Sequence, residues 1–220
     1  MITAIIQARL GSTRLPRKVL LEIPKGSGAT CLDRVIEAVK KSDLINNIIL
    51  TTPDSELARR EWDIWPVKVY HYEGIRDVIG EYYNAAPEGH TIVRITADCP
   101  MLDSEQIDKC IDEFIDGDYD LVYNTDEAVT MDGDGTDVEV FSYSALRHAY
   151  LNATGNEKEH VTLWMRRNLN CKYVPTTFNG CSLNNIEDYE RICKLWTEKE
   201  ESDGVSSQYT QTAQEQAGQT

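Results

Sequence analysis

"ITAIIQARLGSTRLPRKVL", Ile2 to Leu20, opens as a nearly continuous apolar run, turns through Gly11, and sets Arg9, Arg14, Arg17 and Lys18 close together. A short apolar run without polar alternation suits a strand buried on both faces, which is the habit of parallel sheets covered by helices. The pattern then repeats. "ATCLDRVIEAVKKS" places Leu32, Val35, Ile36 and Val39 at helical spacing, and "NNIILTTP" reads as a second buried strand. "WPVKVYHY" reads as a third strand, and "DVIGEYYNAAP" as a helix closed by Pro87. "HTIVRITADCP" continues the alternation, "SEQIDKCIDEFIDG" reads as a helix with Ser104 as N-cap and Gly117 as stop, and "YDLVYN" as a further strand.

Strands alternating with helices of this length imply βαβ units in an open α/β sheet, whose ligands sit in the loops at the carboxyl ends of strands. Three loops leave such ends: Ala8 to Lys18, Asp98 to Asp103, and the stretch from Asp132 to Asp137. After "DVEVFSYSALRHAYL" the pattern changes to a strand, helices including "EKEHVTLWMRRNL", a strand "CKYVPTTF" and a final helix "IEDYERICKLWTEKE". No composition break marks a second domain, so residues 1–199 are expected to form one unit. The Ser/Gln/Thr-rich segment 200–220 cannot bury enough apolar surface to offset its chain entropy and is expected to be disordered.

A chain of 220 residues with 41% hydrophobic content supports a substantial core. Its formal net charge of -15 argues against nucleic acid or an anionic membrane as the main partner, because both call for a basic face. Any polyanion must therefore be held by a local cluster. The sequence shows neither a signal-like start nor a long apolar run, which points to the cytoplasm. Six cysteines without CxxC spacing read as reduced, mostly buried thiols.

A glycine-containing turn between strand and helix can aim backbone N–H groups at phosphate, with Arg and Lys neutralising the remaining charge. The P-loop template fails, because Pro16 stands where its second glycine would be, and no G-x-G-x-x-G follows Gly11. By charge alone, the cluster equally fits a solvated basic loop paired with surface carboxylates. Asp98, at the end of an apolar strand, fits a Mg²⁺ ligand or a turn and capping residue. In "DGDGTDVEVF" an EF-hand is excluded by the residues at its sixth and twelfth positions. Alternation there puts Val138 and Val140 on one face and Asp137, Glu139 and Phe141 on the other, after a tight turn. His160 is either a surface histidine beside Glu157 and Glu159 or a site residue.

"ARLGSTRLPRK" resembles the signature loop of the cytidylyltransferases that activate sugar acids. It is most similar to the branch called spore coat polysaccharide biosynthesis protein F, a homologue of the CMP-KDO synthetases. The resemblance continues through "RITADCPMLD", "GTDVEVFSYSAL", "KEHVT" and "IEDYERI". It implies a single α/β nucleotidyltransferase domain with a mainly parallel sheet and flanking helices, related to the GT-A glycosyltransferases. It implies transfer of CMP from CTP to a sugar acid or related acceptor, with Mg²⁺ as cofactor and pyrophosphate as product, in surface polysaccharide biosynthesis. The expected partners are CTP and the acceptor, with neither nucleic acid nor membrane, and assembly as a homodimer is compatible. Arg9, Ser12, Arg14 and Lys18 would hold the triphosphate, with backbone from Ala8 through Leu10 to Gly11 near base and ribose. Arg94 and Thr96 would edge the nucleotide pocket, Asp98 would hold the metal, and Asp137, Glu139 and His160 would face the acceptor.

The chain departs from the family pattern twice. "LNNIEDYE" puts Asn184 where members commonly carry a metal-binding aspartate, which keeps a carbonyl ligand but removes a negative charge and should lower metal affinity. "GEYY" puts Glu81 where an arginine is usual. Two other readings follow from the same residues: a GT-A-like glycosyltransferase, and a non-catalytic nucleotide-binding member of a polysaccharide-assembly cluster. A D-x-D pair at the strand end would favour glycosyl transfer, but the chain reads "ADCP" there.

Overall fold

The structure is a computed structural model that describes residues 1–60, 67–73, 77–124, 135–176 and 180–203. Seven strands form one sheet in the order β3-β2-β1-β4-β6-β5-β7. They are β1 (Ile2–Gln7), β2 (Asn47–Thr52), β3 (Val67–His71), β4 (Thr91–Thr96), β5 (Leu121–Tyr123), β6 (Val138–Ser142) and β7 (Cys171–Tyr173). All described pairs are parallel except those of β6, which runs antiparallel to both β4 and β5. The mainly parallel sheet expected from the alternating pattern is therefore present.

Both faces of the sheet are covered, which explains the unbroken apolar β1. Ala4, Ile6 and Ala8 enter a core shared with the helices α1 (Cys31–Lys41) and α4 (Ser104–Asp116). Ile5 points to the opposite core, with α3 (Val78–Ala85), α5 (Tyr143–Asn152) and α6 (Leu163–Asn168). The alternation read in β6 holds, with Val138 and Val140 in the first core and Phe141 in the second. A smaller cluster of Ile23, Cys31, Met101, Cys181, Leu183 and Ile192 joins the loop after β1 to the last helix, α7 (Ile186–Asp203). All six cysteines are free thiols. Among the described residues, no helix is long and apolar enough to cross a membrane.

Local structure corrects several expectations. The N-cap of α4 is Asp103, whose side chain accepts from the Glu105 N–H, and Ser104 is the first helical residue. Asp103 has extended backbone and a carboxylate suited to the helix end, so it outcompetes the serine. "EKEHVTLWMRRNL" is not one helix: a 3-10 turn, Gly155–Glu159, is capped by Thr154 and Glu157, and α6 starts only at Leu163. A short α2 (Ser55–Arg59) lacks the length for a periodic signal. The final helix runs to Asp203, past the expected boundary at 200, because Glu200 Oε1 lies 3.0 Å from Arg34 Nη2 and Arg34 stacks over Trp196. Residues 204–220 lie outside the described residues, as do Asp132 and Asp134.

Candidate active site

The carboxyl ends of β1 and β4 lie side by side, with Gln7 opposite Thr96. The loop that leaves β1 folds back on itself, since the N–H groups of Ser12 and Arg17 both donate to the Leu10 carbonyl. Arg17 reaches this turn with a left-handed backbone, φ 59°. Val19 then plugs into the core within the 3-10 turn Lys18–Leu20, which anchors Lys18.

The result is a cleft of about 430 Å³. From the first loop it is lined by Arg9, Gly11, Ser12, Thr13, Arg14 and Lys18; from β4 and its end, by Arg94, Thr96, Ala97 and Asp98; and from further along the chain, by Asn184. Lys18 Nζ sits 2.5 Å from Asp98 Oδ2, with side-chain exposures of 12% and 28%. Arg14 Nη2 donates to Asn184 Oδ1 at 2.8 Å. The backbone ties these segments together, with the Leu183 N–H donating to the Asp98 carbonyl at 2.8 Å. A larger groove of about 600 Å³ runs along α4, but its wall of Glu105, Asp108, Asp112, Glu113 and Asp116 repels phosphate.

Most of the loop residues singled out by sequence thus meet in one cleft. Arg17 does not: it pairs with Glu56 on the exposed side, at 2.5 and 2.9 Å. That hydrogen bond raises the Arg17 pKa and lowers that of Glu56. The backbone role expected for Ala8 to Gly11 is narrower than the sequence suggested, because Ala8 is buried and donates to the Thr51 carbonyl, and the Leu10 N–H donates to Asp54 Oδ2.

The residues expected to face the acceptor behave differently. Glu139 is 2% exposed and does not line the cleft. Its Oε2 accepts from Arg94 Nη1 at 2.6 Å, and its Oε1 accepts from Thr162 Oγ1 and Arg166 Nη2, each at 2.5 Å. Burial opposes ionisation of Glu139, but Arg94 and Arg166 outweigh it and hold the carboxyl below the usual glutamate range. In return, Glu139 keeps the Arg94 guanidinium firmly protonated despite its burial. Glu139 therefore positions Arg94, and Arg94 carries the charge to the cleft wall. Asp137 is half-buried and not part of the lining, though its charge acts on Arg94 and Cys99. His160 is exposed at the end of the 3-10 turn, and the neighbouring Glu159 lines the cleft in its place.

Sequence reading missed Gln7, Val78 and Glu159 in the lining. The first two sit at an element end, where register and not motif decides what faces the cleft. Cys31 and Cys99 lie close by, but burial pushes both thiols up, so neither is a ready nucleophile.

A divalent cation finds a limited donor set: the Asp98 carboxylate, partly exposed, and the Asn184 carbonyl oxygen. No group of three or more His, Cys, Asp or Glu side chains gathers at metal-binding spacing among the described residues. That set fits Mg²⁺ arriving with a triphosphate, since the ion keeps waters and phosphate oxygens around it and takes one or two protein ligands.

An open, mainly parallel α/β sheet with a cationic loop facing a strand-end carboxylate fits a nucleotidyltransferase, and family membership makes it one. The chain belongs to the cytidylyltransferase family, whose model matches residues 3–216. It is similar to the uncharacterized protein MJ1063 of Methanocaldococcus jannaschii, 34% identical over 214 residues that cover 88% of this chain and 82% of the relative. It is also similar to the spore coat polysaccharide biosynthesis protein SpsF of Bacillus subtilis, at 28% identity over 94% of this chain and 90% of the other. Among solved structures, CMP:2-keto-3-deoxy-manno-octonic acid synthetase complexed with CTP shares the fold, with TM-score 0.69 and 13% identity over 90% of this chain and 99% of that one.

Proposed function

We propose that the cleft binds CTP with Mg²⁺ and transfers CMP to a hydroxyl of a sugar acid or related carboxylated acceptor, in the cytoplasm, for surface polysaccharide assembly. The observation that carries this reading is the pairing of Lys18 with Asp98 and of Arg14 with Asn184 across one cleft. Two cations and two oxygen ligands stand where a metal-bound triphosphate would exchange partners with them. Arg9, Ser12, Arg14 and Lys18 hold the triphosphate, while Asp98 and Asn184 would hold the metal, which would supply neutralisation of phosphate charge. The acceptor hydroxyl oxygen forms a bond to the α-phosphorus as its proton passes to solvent, the bond to the bridging oxygen breaks, and pyrophosphate leaves. Charge spreads over phosphate oxygens in that step, so fixed cations stabilise it without reorganising. Arg94, held by Glu139, supplies a further fixed cation, and its guanidinium suits the acceptor carboxylate.

Glycosyl transfer from a nucleotide sugar is less well supported. Of the three D-x-D strings, those from Asp116 to Asp120 precede β5, at the amino ends of the parallel strands and away from this cleft, and Asp132 to Asp134 lies outside the described residues. The deciding experiment is pyrophosphate release from CTP by wild type and Asp98→Asn across a Mg²⁺ series. Release by the wild type should need Mg²⁺ and be lost in the variant; Asp98→Asn turnover that still responds to Mg²⁺ contradicts the assignment.

A further inference from the structure

Gln7 ends β1 and lines the cleft beside Thr96 and Val78. Its Nε2 donates to Glu81 Oε2 at 3.1 Å. Glu81 projects from α3 and is 6% exposed. A carboxylate offers acceptors only, so the amide must turn its nitrogen and not its oxygen toward Glu81. Tyr72 lies close by, and burial first, with Glu81 next, pushes its phenol well above its ordinary range. Among the described residues, no donor reaches Gln7 Oε1.

The surroundings match a base better than a phosphate. Val78 is apolar and lines the cleft beside Gln7, a surface that suits a ring face and not a phosphate. Arg14 and Lys18 gather instead with Asn184 and Asp98. We propose that Gln7, oriented by Glu81, is a specificity-determining residue that offers its carbonyl oxygen to the nucleobase and so selects a base presenting an exocyclic amino group over one presenting a carbonyl. This inference rests on the nucleotidyl-transfer reading. Cytosine would donate from its amino group to Gln7 Oε1. Uracil in the same pose would set carbonyl against carbonyl, and the amide could not turn to meet it without placing its oxygen on the Glu81 carboxylate. Glu81 thus acts as a positioning residue for Gln7.

Calorimetric titration of CTP and of UTP, each with Mg²⁺, into the full chain tests this on wild type, Gln7→Leu and Glu81→Gln. Wild type should bind CTP at least roughly tenfold more tightly than UTP, the cost of one unmatched buried acceptor. Gln7→Leu should lose the preference by weakening CTP. Glu81→Gln should lose it by strengthening UTP, because an amide partner lets Gln7 turn. A merely structural Glu81 would not raise UTP affinity. Wild type binding both nucleotides equally overturns the inference, as does an unchanged preference in Gln7→Leu, which is partly exposed and suited to the test should the buried Glu81 variant not fold. Binding without discrimination leaves the nucleotidyl-transfer reading standing, whereas failure of wild type to bind either triphosphate overturns both.

Discussion

Glu139 shows how a site residue can be legible by type and misread by role. A glutamate on a strand near a candidate acceptor pocket reads as a ligand, yet its partners Thr162 and Arg166 lie more than twenty residues away and leave no local signal. Removing its charge would take the shared carboxylate from Arg94 and Arg166, whose side chains are 21% and 15% exposed, so Glu139→Gln should cost about 2–3 kcal/mol at neutral pH. Because the folded carboxyl titrates below its ordinary value of about 4.3, the stability it adds is complete above that pH and is lost as pH falls through the folded value. Urea unfolding from pH 7 down to pH 3 should thus show a shallower acid decline for Glu139→Gln than for wild type. A variant with the wild-type midpoint throughout contradicts the buried network.

The loop cations make the complementary case. Arg9, Arg14 and Lys18 were legible because they are close in sequence, but charge could not separate them from Arg17, which the fold sends to Glu56. Arg14→Ala should abolish pyrophosphate release while shifting the melting temperature by no more than a degree or two, as expected for an exposed pair, whereas Lys18→Ala should abolish it with a larger shift, because that side chain is only 12% exposed beside Asp98. Arg17→Ala should retain turnover. If Arg17→Ala is inactive and Lys18→Ala is active, the phosphate cradle is placed on the wrong cations.

At the scale of elements, the strands and long helices followed from periodicity, while their ends and breaks did not. Asp103 displaces Ser104 as the cap, and the chain breaks between Glu159 and Leu163, because caps and breaks depend on one or two side-chain bonds. Two backbone positions make the same point. Arg17 holds the left-handed conformation that closes the loop, and Arg17→Gly should remove that steric cost and stabilise the protein by about 0.5–1 kcal/mol in thermal melts. Gly135, with φ 66°, enters β6 against the backbone of Cys181, where an added Cβ would lie 2.2 Å from the carbonyl carbon. Gly135→Ala should destabilise by more than about 2 kcal/mol. It should also weaken CTP binding, since Cys181 leads directly to Asn184. A variant that keeps wild-type stability would show that this approach is not required.

At the scale of the molecule, the chain reconciles a net charge of -15 with a polyanion site by gathering cations at the carboxyl edge of β1 and placing many of its acids elsewhere, as along α4. The α/β alternation made the class of fold and the edge that carries the site legible from sequence. The reversed β6 and the inward turn of Gln7 and Glu159 were not, because sheet order and register join segments that sequence leaves far apart. Nucleotidyl transfer by this cleft is tested most directly by following CTP labelled at the α-phosphate with Mg²⁺ and a panel of sugar acids. The label should move into a CMP-linked sugar acid with one pyrophosphate released per transfer. Label that stays in CTP across the panel, while a nucleotide sugar is consumed by the same protein, would contradict it.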